Sequence, residues 1–143
     1  MVRCILGVIV GWIAGSAFNM AVVMVLWAIY PPPTGTKMED MAAMNAYIQT
    51  LPAPAFLLTL IAHAGGAFVG GLIAALIAKR SQLVLGGIMG GLFLLGGAYM
   101  ALTMDAPIWF EVVDLLLYLP CGIVGAKLVS RSNPAAVASE PAT

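Results

Sequence analysis

The sequence predicts an all-α integral membrane protein: a bundle of four transmembrane helices with glycine-rich packing and a short amphipathic helix between the first and second spans. Of 143 residues, 62% are hydrophobic and 8% are charged, whereas a soluble domain carries about a quarter charged residues. Four apolar stretches reach the roughly 20 residues that a helix needs to cross a bilayer. Glycine recurs at four-residue spacing inside them, and in membranes glycine lets helix backbones approach closely. We therefore expect the lipid bilayer to surround most of the chain.

The first span is expected over residues 4–30. Its apolar run is longer than the roughly 7–15 residues of a signal-peptide core, so it is interpreted as a retained helix. Gly7, Gly11 and Gly15 lie along one face at four-residue spacing. The three prolines at 31–33 end the helix, because proline cannot continue the backbone hydrogen-bond pattern.

The connection from Thr34 to Pro52 contains the predicted amphipathic helix, which would lie on the membrane surface. Its apolar face consists of Met41, Met44, Ile48 and Leu51. Met38, Met41 and Met44 also repeat at three-residue spacing, and thioethers are soft ligands that suit Cu(I). No histidine or cysteine joins them. We therefore interpret these methionines as ordinary apolar residues of an amphipathic segment.

The second, third and fourth spans are expected at about 55–78, 83–103 and 108–129, so that residues 1–129 form one transmembrane domain. Residues 130–143 are rich in Ala, Ser and Pro, a composition typical of a disordered tail.

Small residues form a row along the second span. The row consists of Ala62, Gly66, Gly70, Ala74 and Ala78. We expect it to pack against the third span, because the Lys79–Gln82 connection is too short to place that span elsewhere. Shifting the chain by eighty positions matches Gly7 with Gly87 and Gly11 with Gly91. This match favours either an internal duplication into parallel repeats or the chance similarity of glycine-rich helices.

Basic residues predict the orientation of the bundle. Five of the six lie on one side of the predicted spans: Arg3, Lys79, Arg80, Lys127 and Arg131. Lys37 lies on the other side. Because cytoplasmic loops are enriched in Lys and Arg, we expect both termini in the cytoplasm and the chain in a bacterial inner membrane.

Polar side chains within the spans are the candidate functional residues, because they are costly in a bilayer. The candidates for a ligand- or ion-binding site are Asn19, His63, Tyr99, Glu111 and Asp114. A helix rises about 1.5 Å per residue, which places all of them in the outer half of the bilayer. We predict that His63 and Asp114 approach within hydrogen-bond reach, with Asn19 and Tyr99 nearby.

Three of these candidates, His63, Asp114 and Glu111, also have a structural interpretation. His63 and Asp114 would then pin two helices together in a dry interior, and Glu111 would be an interfacial residue in contact with water. On the fourth span Glu111, Asp114 and Tyr118 share one polar stripe, so this face is expected to point into the bundle.

Several function classes are not supported by the sequence. No basic patch suits nucleic acid, and there is no phosphate-binding loop, HExxH or GxSxG motif. The two cysteines are isolated, and a single histidine excludes a haem held by two histidines of one chain. No motif identifies a cofactor or a metal, and the pattern favours a protein without enzymatic activity.

Two functions remain open. The first is a small membrane protein that binds or passes a small ligand, proton or cation through its outer polar site. The second is a non-catalytic accessory subunit of a larger membrane complex, or a homo-oligomer, with the polar residues as interhelical glue. An intramembrane enzyme with one metal ion held by one histidine and two acids ranks third.

Overall fold

The computed structural model describes residues 1–37 and 39–131. The helices are α1 (Val2–Ile29), α2 (Met41–Ile48), α3 (Ala53–Ala78), α4 (Gln82–Thr103) and α5 (Ile108–Arg131). All except α2 are long and apolar enough to cross a membrane. The predicted all-α membrane fold, with four long helices and a short helix after the first, is confirmed. Met38 and residues 132–143 of the predicted tail lie outside the described residues.

Local sequence signals set the helix ends. Pro52 precedes α3 and Pro54 lies in its first turn, where the missing N–H costs nothing. Asp40 caps α2 by accepting a hydrogen bond from the Ala43 backbone N–H at 3.0 Å. Lys79 ends α3 in the left-handed conformation, with φ of 57°. The chain therefore reverses within a few residues and places α4 antiparallel to α3.

Helix α3 is the centre of the bundle and packs against α1, α4 and α5. A methyl group at Gly66 would lie 3.0 Å from the Gly15 carbonyl oxygen of α1. A methyl group at Gly70 would lie 3.2 Å from the Gly11 carbonyl oxygen and 3.0 Å from the Met89 Cε of α4. The prediction that the third span is the neighbour of this row is therefore incomplete. Helix α1 makes the backbone contacts because it carries glycines of its own, while α4 reaches the row with side chains.

The antiparallel pairs α1–α3 and α4–α5 use small residues in the same way. The contacts are Gly7–Ala74 and Gly11–Gly70 in the first pair, and Gly86–Ala126 and Gly90–Gly122 in the second. Gly7 and Gly11 of α1 thus correspond to Gly86 and Gly90 of α4, which lie seventy-nine positions later. A methyl group at Gly87 or Gly91, which the shift of eighty matches with Gly7 and Gly11, would meet no described atom within 4 Å. Internal duplication stays a hypothesis, and the contacts give it a different register.

The two ends of the bundle differ in character. Arg3, Lys79 and Arg80 line a shallow groove at one end, here called the basic end. At the other, the capped end, α2 covers the helix termini. The Tyr47 hydroxyl donates to the Tyr30 carbonyl oxygen at 2.5 Å, and the Gln49 amide donates to the Asp105 carbonyl oxygen at 2.6 Å. Burial raises the pKa of Tyr47, so its phenol stays protonated and can donate.

The buried face of α2 differs from the predicted one. Met44 and Tyr47 are buried, whereas Met41 is 38% exposed. Tyr47 replaces Met41 because its hydroxyl finds an acceptor at the end of α1 while its ring remains in apolar contact.

Candidate functional site

His63 of α3 and Asp114 of α5 are in direct contact. The His63 Nδ1 lies 2.9 Å from each Asp114 carboxylate oxygen, and Asp114 is 4% exposed. The helices come this close because α3 and α5 meet backbone to backbone at Gly71 and Gly122. A carboxylate accepts hydrogen bonds, so Nδ1 carries the hydrogen, which fixes the orientation of the imidazole ring. No described residue hydrogen-bonds to the other ring nitrogen, Nε2.

Tyr118 completes this pair, although it is absent from the predicted site residues. It follows Asp114 by one helical turn, and its hydroxyl donates to Asp114 Oδ2 at 3.0 Å. Its ring stacks on the His63 imidazole, with centroids 5.8 Å apart and an interplanar angle of 24°. Gly97 of α4 makes room for this ring, because a methyl group there would lie 2.5 Å from Tyr118 Cε2. The four-residue spacing from Asp114 is the sequence signal for Tyr118.

A cavity of about 180 Å³ opens beside the pair, at the capped end of the bundle. All five helices contribute to its mostly apolar wall. Its roof is formed by α2, and its floor by the lining residues of α3, α4 and α5 that lie furthest from the capped end. The roof consists of Met44, Tyr47 and Ile48, and the floor of His63, Gly97 and Asp114. No lysine or arginine from the described part of the chain lines the cavity.

The other predicted site residues lie in three different surroundings. Glu111 lines the cavity and is partly buried. Asn19 lies on α1 against Gly66. Its Oδ1 atom is buried and has no hydrogen-bond partner among the described residues. Asn19 is not part of the cavity wall.

Tyr99 is 66% exposed on α4, and the structure does not bring it to the His63–Asp114 pair. The α4 residues that line the cavity are Gly97, Met100 and Ala101, and the C-cap residue Met104 continues their row. They recur at helical spacing on one face, and Tyr99 lies between them in sequence and off that face. The expectation that Tyr99 lies near the pair is therefore wrong. The predicted depth of Tyr99 carried no information on which side of α4 its ring occupies.

The chemistry available at this site is hydrogen bonding and charge. Within residues 1–37 and 39–131, no three side chains of His, Cys, Asp or Glu gather in a way that would hold a metal ion. Cys4 and Cys121 are free thiols. The site does combine an oriented imidazole, a buried carboxylate and a second carboxylate, Glu111, that has no partner among the described residues, with an apolar cavity.

Comparison of the chain with protein-family models, with curated proteins and with solved structures finds no match. The contacts and the cavity described above are therefore the basis for assigning a function.

Proposed function

We propose that this protein binds a small amphipathic molecule in the cavity at the capped end, with the His63–Asp114 pair as a polar anchor. The observation that carries the proposal is the combination of an apolar cavity with a buried, hydrogen-bonded pair of ionisable side chains on its floor. Binding sites for small molecules are typically apolar pockets with a few placed polar groups. Ionisable residues inside membrane proteins are rare and costly, and they commonly mark the paths of substrates, ions or protons.

The size of the cavity supports a ligand. Protein interiors are packed with few voids larger than a water molecule, and an engineered apolar cavity of about 150 Å³ binds benzene. The cavity here is about 180 Å³. The His63 side chain also keeps 22% of its surface accessible, whereas a pair that serves packing alone would gain nothing from that accessibility.

The site would lie in the outer half of a bacterial inner membrane, with both chain termini in the cytoplasm. The clustering of Arg3, Lys79 and Arg80 at one end of the bundle supports this orientation, because cytoplasmic loops are enriched in Lys and Arg. A ligand would then reach the cavity from the outer aqueous phase or the outer leaflet.

A second candidate function is a non-catalytic accessory subunit of a membrane complex. Asp114 accepts hydrogen bonds from both His63 and Tyr118, which is what interhelical glue requires. Gly87 and Gly91 of α4 face open space, as expected for a surface that another helix could approach closely.

Methionine methyl NMR on the protein in lipid nanodiscs tests the ligand-binding proposal. The probes are 2-phenylethylammonium and its neutral isostere propylbenzene, at matched concentrations in the lipid. We expect shifts of the Met44 and Met104 methyl signals, because both residues line the cavity. The exposed Met20 reports on partitioning of the probe into lipid.

A matched pair of substitutions locates the binding. Ala101→Leu places a larger side chain at the cavity wall and should abolish the shifts. Ala28→Leu makes the same change at an exposed position outside the wall and should leave them unchanged. Wild-type protein that shows no cavity shifts with either probe would refute the proposal and favour the accessory-subunit function.

A further inference from the structure

We infer that the molecule bound in this cavity is a lipophilic ammonium ion, that is, a cation with an apolar body, and that Glu111 binds its charged group. This inference rests on the proposed function, because it identifies the chemical class of the ligand for the same cavity. It comes from the charges and aromatic rings that face the cavity.

Glu111 is the carboxylate that is available to a ligand. It lines the cavity and is partly buried, yet no described residue forms an ion pair or a hydrogen bond with its side chain. One turn further along α5, Asp114 already accepts from His63 and Tyr118. A charge that is partly removed from water is costly unless a partner compensates it. A cationic ligand would supply the partner that the described residues do not.

Aromatic rings surround the same space. The cavity wall includes Trp27 of α1, Tyr47 of α2, Phe56 of α3 and Phe110 of α5, and the rings of Phe56 and Phe110 are 5.2 Å apart. A cation is attracted to the face of an aromatic ring, most strongly where water is excluded. Four rings from four helices, with a carboxylate beside them, match the two parts of a lipophilic ammonium ion.

The charge distribution of the whole bundle favours the same class. Arg3, Lys79 and Arg80 lie together at the basic end, far from the cavity. The connections at the capped end carry three acidic residues, Glu39, Asp40 and Asp105, against one basic residue, Lys37. Clefts surrounded by one sign of charge concentrate ligands of the opposite sign. An organic anion would be repelled by these acidic residues and by Glu111 itself.

The cavity volume limits the ligand to roughly one aromatic ring or a short branched chain, since about 150 Å³ accommodates benzene. The probes are therefore 2-phenylethylammonium, propylbenzene, in which a methyl group replaces the ammonium, and the anion 3-phenylpropanoate. Binding is followed by the Met44 and Met104 methyl signals in nanodiscs, with concentrations corrected for the measured partitioning of each probe into lipid.

We expect the ammonium ion to bind roughly tenfold more tightly than propylbenzene, which is the size of effect that a partly desolvated cation–π and charge contact provides. The anion should show no binding. Glu111→Gln should remove this preference and leave the affinity for propylbenzene unchanged, which also shows that the variant is folded. Glu39→Gln is the matched control. It removes the same charge at the same end, at an exposed position outside the cavity wall, and should change the ammonium affinity less than twofold. Glu111→Asp keeps the charge and should keep the preference.

The outcomes separate the two proposals. If wild-type protein binds propylbenzene as tightly as 2-phenylethylammonium, or if Glu111→Gln keeps the preference for the cation, the inference is wrong while the cavity remains a ligand site. If none of the probes shifts the Met44 and Met104 signals of the wild type, the proposed function itself fails. Should Glu111→Gln fail to fold, the inference is still tested by two results: the preference of the wild type for the cation over propylbenzene, and the retention of that preference in Glu111→Asp.

Discussion

Two neighbouring glycines of α4 provide a matched test of how the bundle is packed. A methyl group at Gly90 would lie 2.7 Å from the Tyr118 carbonyl oxygen and 2.8 Å from the Leu119 Cα. Both are backbone atoms of α5, so no side chain can rotate away to relieve the contact. A methyl group at Gly91 would meet no described atom within 4 Å. Gly90→Ala and Gly91→Ala are thus the same chemical change on two faces of one helix.

The geometry gives the expected magnitudes. Ordinary contacts of a Cβ atom begin at about 3.4 Å, so α5 must move by more than half an ångström to admit a methyl group at Gly90. Overpacking of this kind costs about 1–3 kcal/mol. Alanine is also the better helix former by up to about 1 kcal/mol in water, and at Gly91 nothing opposes that gain. The propensity gain is common to both variants and cancels, so they should differ in unfolding free energy by about 1–3 kcal/mol, the cost of overpacking at Gly90.

Reversible unfolding in mixed detergent micelles, followed by far-UV circular dichroism, measures the difference. We expect Gly90→Ala to be destabilised and Gly91→Ala to be as stable as the wild type or slightly more so. Equal effects of the two substitutions, or a stabilised Gly90→Ala variant, would refute the close contact between α4 and α5. A strong loss at Gly91 would instead indicate that a second copy or a partner covers that face.

Three further predictions concern the two ends of the bundle and the floor of the cavity. In a variant without the native cysteines, cysteine at position Thr36 should react with an impermeant reagent in intact cells, and cysteine at Ser81 should not; labelling at Ser81 would reverse the orientation. Tyr47→Phe removes the hydrogen bond to the Tyr30 carbonyl at the end of α1. Amide hydrogen exchange in α2 should then become faster, corresponding to a loss of about 1 kcal/mol in the free energy of local opening, while the free energy of global unfolding stays unchanged. Asp114→Leu should lower the melting temperature, because His63 and Tyr118 lose their acceptor. The double variant with His63→Leu should recover part of the loss, since apolar pairs replace buried polar ones well; full recovery would favour a structural role for the pair.

The sequence by itself determined the class of protein and the approximate positions of its helices. Long apolar runs, the prolines after α1 and before α3, and the short Lys79–Ser81 reversal are local signals, so they can be interpreted without knowledge of tertiary contacts. The meeting of His63 and Asp114 was also open to prediction, because two ionisable groups at similar depth in a bilayer have few other partners.

Tertiary structure decided which face of each helix meets which neighbour. Lipid is as apolar as the bundle interior, so hydrophobicity does not mark the buried face of a membrane helix as it does in a soluble protein. Helical spacing shows that Gly66 and Gly70 share a face, but it does not tell whether α1 or α4 covers them. For the same reason the sequence did not distinguish Tyr99, which faces outward, from Tyr118, which faces the site. The cavity exists because five helices close around a space that no single helix encodes.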